Sequence, residues 1–179
     1  DVVFTYCDDE NLIDECKQSL KLLGVDDPLI KEFQRRYFER DRQEIIDLMI
    51  KLHKENDYGV VFTIGSHDLH QDHKTIHEES LRAFRNTTLL GYDSLRNTIR
   101  SEVHWFVELT QDEIDMKTVA LSCYLSQRKR HYFNPDVIRS LAVSRGNQIN
   151  VKYAEAFEVI RIVCLEDIED INPWSVSNE

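Results

Sequence analysis

Residues 58–80, YGVVFTIGSHDLHQDHKTIHEES, decide the fold of this chain. Val60, Val61, Phe62 and Ile64 form a short β-branched and aromatic run bounded by Gly59 and Gly65, which is the pattern of a buried parallel strand. Ligands collect beyond the carboxyl ends of strands in open parallel sheets, so the loop after Gly65 is where chemistry is expected. That loop, Ser66-His67-Asp68-Leu69-His70-Gln71-Asp72-His73, concentrates imidazoles and carboxylates, the nitrogen and oxygen ligands that divalent metals favour. His70 and His73 are spaced to share one face of a helical turn, and Asp72 stands between them as a partner able to orient an imidazole. His77 extends the same face, and His67 precedes it. The competing reading is a solvated helix start with Asp72 as its N-cap. A cluster of this density directly after a buried strand favours a metal-dependent hydrolase site.

The rest of the chain fits a single domain spanning residues 1–179, with an acidic tail over 166–179. Its 179 residues, 41% hydrophobic and 31% charged, suffice for one real core. A net charge of -11, with basic residues scattered and outnumbered, argues against a nucleic-acid partner held by phosphate contacts. Cys7, Cys16, Cys123 and Cys164 lie far apart with no CxxC pair, which points to reduced, mostly buried thiols in a cytoplasmic protein. No apolar run approaches the roughly 18 residues of a membrane span, and no signal peptide is visible.

In order, Val2 to Tyr6 reads as a strand, followed by a helix to about Leu23 that Gly24 ends. Residues 26–40 read as loop, containing Phe33, Arg35, Arg36, Tyr37 and Phe38. Arg35, Arg36 and Tyr37 admit two readings, a sugar-phosphate or glycan pocket and a solvated loop. Asp41 starts a second helix, the 58–64 strand follows, and a helix runs over 72–85. Gly91-Tyr92-Asp93-Ser94 marks a turn. Glu102 to Leu109 alternates as a strand, and Thr110 with Glu113 has capping-box spacing for a helix to Tyr124. Gln127 to Arg130 reads as a basic, solvent-facing stretch. Pro135 opens a helix ending near Gly146, and Ala156 to Leu165 is a last strand. Strands alternating with helices predict an α/β protein, a Rossmann-like layered sheet, mostly parallel, with helices on both faces.

Three segments, SHDLHQDHKTIHEESLRAFRN at 66–86, LSCYLSQRKRHYF at 121–133 and SRGNQINVKYAEAFEVIR at 144–161, resemble in that order the PIG-L/LmbE family of GlcNAc-type de-N-acetylases. The resemblance implies a Rossmann-like fold and a zinc-dependent (or other divalent metal) amide hydrolase. Such an enzyme removes an N-acetyl group from an N-acetylglucosamine-containing amino-sugar or glycoconjugate. It implies His73 as a metal ligand, His70 as the histidine that stabilises the oxyanion, and Asp72 as the aspartate holding an imidazole in register. Asp68 falls where family members carry a substrate-side or orienting residue, and Arg145 and Glu155 where residues near the site floor contact sugar. For Arg145 and Glu155 the alternative is a buried ion pair beneath the last strand.

Gln71 replaces the family's usual proline, and the HPDDE motif that supplies two further metal ligands and the general base has no counterpart. Cys7-Asp8-Asp9-Glu10 echoes it without its glycine-rich continuation. Val2 to Thr5 then corresponds to the family's second strand, and the metal site of these residues is expected to be incomplete, with His67 or His77 as substitutes. A non-catalytic sugar-binding member of the fold is the alternative, and a homo-oligomer is left open. The bare His67-Asp68 pair also evokes an unrelated all-helical metal phosphohydrolase.

Overall fold

A computed structural model describes residues 3–6 and 10–164. Cys7, Asp8, Asp9 and the acidic tail lie outside the described residues. The described elements run β1 (Val3–Tyr6), α1 (Glu10–Leu22), β2 (Leu29–Glu32), α2 (Arg42–Asn56), β3 (Val60–Ile64), α3 (Gln71–Ala83), β4 (Thr88–Tyr92), β5 (Trp105–Glu108), α4 (Gln111–Ser122), α5 (Pro135–Gln148) and β6 (Ala154–Arg161). None of these helices is long and apolar enough to cross a membrane. The chain is thus mixed α/β, and its strands remove the all-helical phosphohydrolase reading.

The larger sheet has the order β3-β4-β6-β5. Only β3 and β4 run parallel in it; β4 with β6 and β5 with β6 are antiparallel. The expectation of a mostly parallel sheet is therefore corrected. The cause is that β6 inserts between β4 and β5 and runs antiparallel to both, the helices α4 and α5 returning the chain in the opposite direction. A separate two-stranded parallel sheet joins β1 to β2, so part of the 26–40 stretch read as loop is a strand. Residues 88–92, overlapping the expected turn, also form a strand. Gly91 sits in it because a Cβ there would stand 2.9 Å from the Gly65 Cα on β3's end and 3.0 Å from Ile160 Cδ1. A glycine that permits close backbone approach resembles a turn glycine in the sequence.

The buried face of β3 rests on α3, where Thr63 Oγ1 and Ser80 Oγ lie 2.9 Å apart. The opposite face is open: Val60, Phe62, Trp105 and Val107 keep 40–54% of their surface exposed, and Phe62 meets Phe157 edge-on at 5.1 Å. The expected helices on both faces are thus not realised here, since no described helix buries these four side chains. The cysteine expectation also needs correction. Of the three described cysteines, all free thiols, only Cys16 is buried; Cys123 is half-buried and Cys164 exposed.

Between α2 and α3, Glu79 is fully buried and accepts hydrogen bonds from Arg42 Nε at 2.7 Å and Arg82 Nη1 at 2.6 Å. The charge is matched on both sides, which is the condition for tolerating a buried carboxylate. Phe33, Phe38 and Ile45 make the apolar centre beside it, with Met49 and Ile76 packed on. This packing fixes the 33–38 segment against the N-terminus of α3. A second centre, Ile114, Ala142 and Tyr153, ties α4 and α5 to β6.

Gly146 lies within α5, which continues past the expected end. A Cβ at this position would come within 2.7 Å of the Val151 carbonyl oxygen and 2.8 Å of the Tyr153 nitrogen. Both are backbone atoms and cannot swing aside. Gly146→Ala should therefore destabilise the fold by about 1–3 kcal/mol, read as a lower denaturant midpoint at unchanged slope.

Candidate functional site

The site grows from Asp68, a carboxylate 2% exposed at the start of the loop beyond β3. Its Oδ1 accepts the His70 backbone N–H at 2.8 Å, and its Oδ2 lies 2.8 Å from His73 Nδ1. An ionised carboxylate can only accept, so the Nδ1–H of His73 donates. In the neutral ring the remaining nitrogen, Nε2, then carries the lone pair, and it has no protein partner among the described residues. A carboxylate bonded to the far nitrogen of an imidazole fixes its tautomer and ring orientation.

His70 is the N-cap of α3, the position for which the sequence offers Asp72 as an alternative. Its Nδ1 accepts the Asp72 backbone N–H at 3.2 Å. An accepting Nδ1 is unprotonated, so neutral His70 carries its proton on Nε2. The two rings lie 4.6 Å apart, and each side chain is about one-third exposed, at 31% and 33%. One helical turn thus presents a donor, His70 Nε2–H, beside an acceptor, His73 Nε2. Burial, then the neighbouring His73, lowers the His70 pKa from its ordinary 6.5.

Asp72 does something other than orient an imidazole. Its carboxylate accepts the Arg36 N–H at 2.6 Å and the Phe38 N–H at 3.3 Å, and it stays 4.0 Å from His70 Nδ1. Arg36 has a left-handed backbone, φ 74°, which these bonds hold in place. The imidazole-holding carboxylate is Asp68 instead. Sequence order hid this, because Asp68 precedes His73 by more than a helical turn and reaches it only through the bend at 66–70.

His67 and His77 do not join the pair. His67 Nε2 faces Glu102 at 3.5 Å, and His77 Nδ1 bonds the Ile64 carbonyl at 2.8 Å. Among the described residues no three His, Cys, Asp or Glu side chains come together as a metal-holding group. His73 Nε2 is one available ligand, short of the three protein ligands a catalytic zinc keeps. The described residues alone therefore do not fit the metal that the resemblance implies.

His70 and His73 open into a cavity of about 690 Å³ that also takes Arg35, Arg36, Arg96 and Arg130. Arg130, expected to face solvent, lines it, and neither Arg96 nor Arg130 carries a sequence signal as a site residue. Arg145 and Glu155 lie in a second cavity of about 450 Å³, and Ser94 and Tyr132 border both. They do not pair with each other. Arg145 bonds Asp93 at 3.2 Å and Ser101 at 2.6 Å, and Glu155 bonds Lys117. Glu158, missed in the sequence, clamps the site loop by accepting from Ser66 N–H and Oγ–H, each at 2.7 Å. The two glycines 65 and 91 leave the room its carboxylate occupies.

No family model matches the chain, and no curated protein sequence matches it. Solved structures do resemble it. A conserved protein of Thermus thermophilus superposes with a TM-score of 0.69 at 20% identity, over 94% of this chain and 78% of the other. The A40926 pseudoaglycone deacetylase gives 0.65 at 18% identity, over 86% and 72%. The zinc-inhibited form of teicoplanin deacetylase gives 0.64 at 14% identity, over 82% and 72%. At these identities the likeness establishes the fold.

The lowered pKa of His70 sets a pH dependence. Folding favours the neutral ring, so the stabilising contribution is complete above 6.5 and is lost as pH falls from 6.5 through the folded value. Imidazole NMR should find His70 titrating below 6.5 in the folded protein, with Nδ1 unprotonated at neutral pH.

Proposed function

We propose that this chain carries the histidine half of an amide hydrolase that removes the N-acetyl group from an N-acetylglucosamine-containing substrate. The observation that carries the reading is an adjacent pair of imidazole nitrogens without partners among the described residues: one a proton donor, the other, in a neutral ring, a lone pair backed by a buried carboxylate. The deacetylases among the structural neighbours support the same reaction class.

Amide hydrolysis needs a stabilised oxyanion and a group that takes a proton from water. The His70 Nε2–H suits the first need, because a fixed donor in a half-enclosed site requires little reorganisation as charge develops. A neutral donor is enough, and burial of His70 favours the neutral ring. His73 Nε2 suits the second need, with Asp68 stabilising the imidazolium that forms and His73 returning the proton to the leaving amine. In the zinc-dependent form of the reading, the same nitrogen would instead be a ligand, and the metal would supply an acidified water. The further ligands would come from outside the described residues.

A non-catalytic sugar-binding protein is the second reading, favoured by the lack of a three-ligand group among the described residues. Acetate release from N-acetylglucosamine conjugates, measured with zinc and again with chelator, separates the two. Release is expected, and its complete absence in both conditions, with sugar binding retained, would establish the second reading. His70→Ala should lower the release rate by about 10²–10³-fold, the usual effect of losing one oxyanion donor. Asp68→Asn should lower it by about 10–100-fold through His73.

A further inference from the structure

The histidine cavity has a second chemical feature. Four arginines line it: Arg35 and Arg36 ahead of α2, Arg96 in the loop after β4, and Arg130 after α4. Its other lining residues, His70, Gln71, His73, Ser94, Asn97 and Tyr132, include no carboxylate. This composition runs against the whole chain, in which 33 acidic residues outnumber 22 lysines and arginines. Six arginines elsewhere are paired with carboxylates: Arg40 with Asp41, Arg42 and Arg82 with Glu79, Arg100 with Glu102, Arg139 with Asp115 and Arg145 with Asp93. Among the described residues, none of the four cavity arginines makes an ion pair. Arg130 bonds the Tyr132 hydroxyl and lies over its ring at 5.9 Å. The Asp68 and Asp72 charges sit behind the histidines, committed to His73 and to backbone N–H groups.

We propose that this arginine rim binds an oxyanion, a phosphate ester or a carboxylate, carried by the substrate away from its N-acyl group. Three separate segments contribute guanidinium groups to one cavity. Guanidinium is the side chain suited to forked recognition of both anions. The proposal deepens the amidase reading by naming the substrate class: an anionic amino-sugar conjugate rather than a neutral glycan. Such a molecule would place its anion on the rim and its acylated nitrogen against His70 and His73.

The test uses sugars without an amide bond, so binding is read independently of turnover. Calorimetry on the full chain compares glucose with glucose 1-phosphate, glucose 6-phosphate and glucuronate. At low salt at least one anionic sugar should bind about tenfold or more tightly than glucose. The phosphate and carboxylate arms tell the two oxyanion sources apart. That preference should shrink as ionic strength rises and collapse towards unity in the Arg96→Ala/Arg130→Ala double variant. Both side chains are exposed and form no ion pair among the described residues, and circular dichroism confirms that the variant is folded. Competition by inorganic phosphate in the unmodified protein provides a readout that needs no variant. Equal affinity for glucose and every anionic sugar, or a preference that survives the double substitution, would overturn the proposal. Anion preference without acetate release sinks the amidase reading alone, and acetate release without anion preference sinks this one alone.

Discussion

The site depends on one buried carboxylate. Asp68 is removed from water at the end of β3, yet both its oxygens are bonded, one by the His70 N–H and one by the His73 ring. An ionised carboxylate in such a place is costly without partners, and these two satisfy it. The requirement acts in both directions. The loop must bend so that the chain's own N–H returns to Asp68, and that bend brings His70 to the N-cap of α3. From there the first turn of α3 carries His73 back over the carboxylate. Removing the charge would release the tautomer of one imidazole and the backbone anchor of the other.

The surrounding structure holds that loop at its edges. Glu158 on β6 accepts twice from Ser66, and Asp72 reaches across to the backbone of residues 36 and 38. The second contact links the arginine segment to the histidine helix through main-chain bonds, so Arg35 and Arg36 are positioned whatever their side chains do. Glu79, locked between Arg42 and Arg82, fixes α2 against α3 one layer below. Three carboxylates, Asp72, Glu79 and Glu158, thus brace the frame around a fourth, Asp68, that acts on the imidazoles.

What was legible in the sequence followed from local patterns. The capping box at Thr110 and Glu113 and the proline opening α5 appear as read, because each is decided within a few residues; the apolar run at 60–64 is the expected strand, but as an edge strand it leaves Val60 and Phe62 exposed rather than buried. What was missed depended on distant neighbours. Gly91 looks like a turn until Gly65 is seen against it. Leu29–Glu32 looks like loop until β1 supplies its pairing. Asp72 and Asp68 have the same chemistry and both lie close to His73 in sequence, and only the path of the loop assigns the imidazole to Asp68. Arg96 and Arg130 carry no local signal at all, because their meaning comes from sharing a cavity with residues far away in the chain. The antiparallel pairing of β5 and β6 likewise follows from how the later helices return the chain.

The charge state of the pair constrains the chemistry more tightly than the identity of its residues. Burial first, and the neighbouring His73 ring 4.6 Å away second, lower the His70 pKa and so favour its neutral form. The cap bond then decides which His70 nitrogen keeps the proton, and Asp68 decides the same for His73, with opposite results. With both rings neutral, a donor and an acceptor stand side by side. The positive potential in the cavity comes from the arginines, which do not titrate near neutrality. In the proposed reading, anion binding falls to the arginines and proton transfer to the imidazoles, so the cavity attracts negative charge without drawing on the histidines for it.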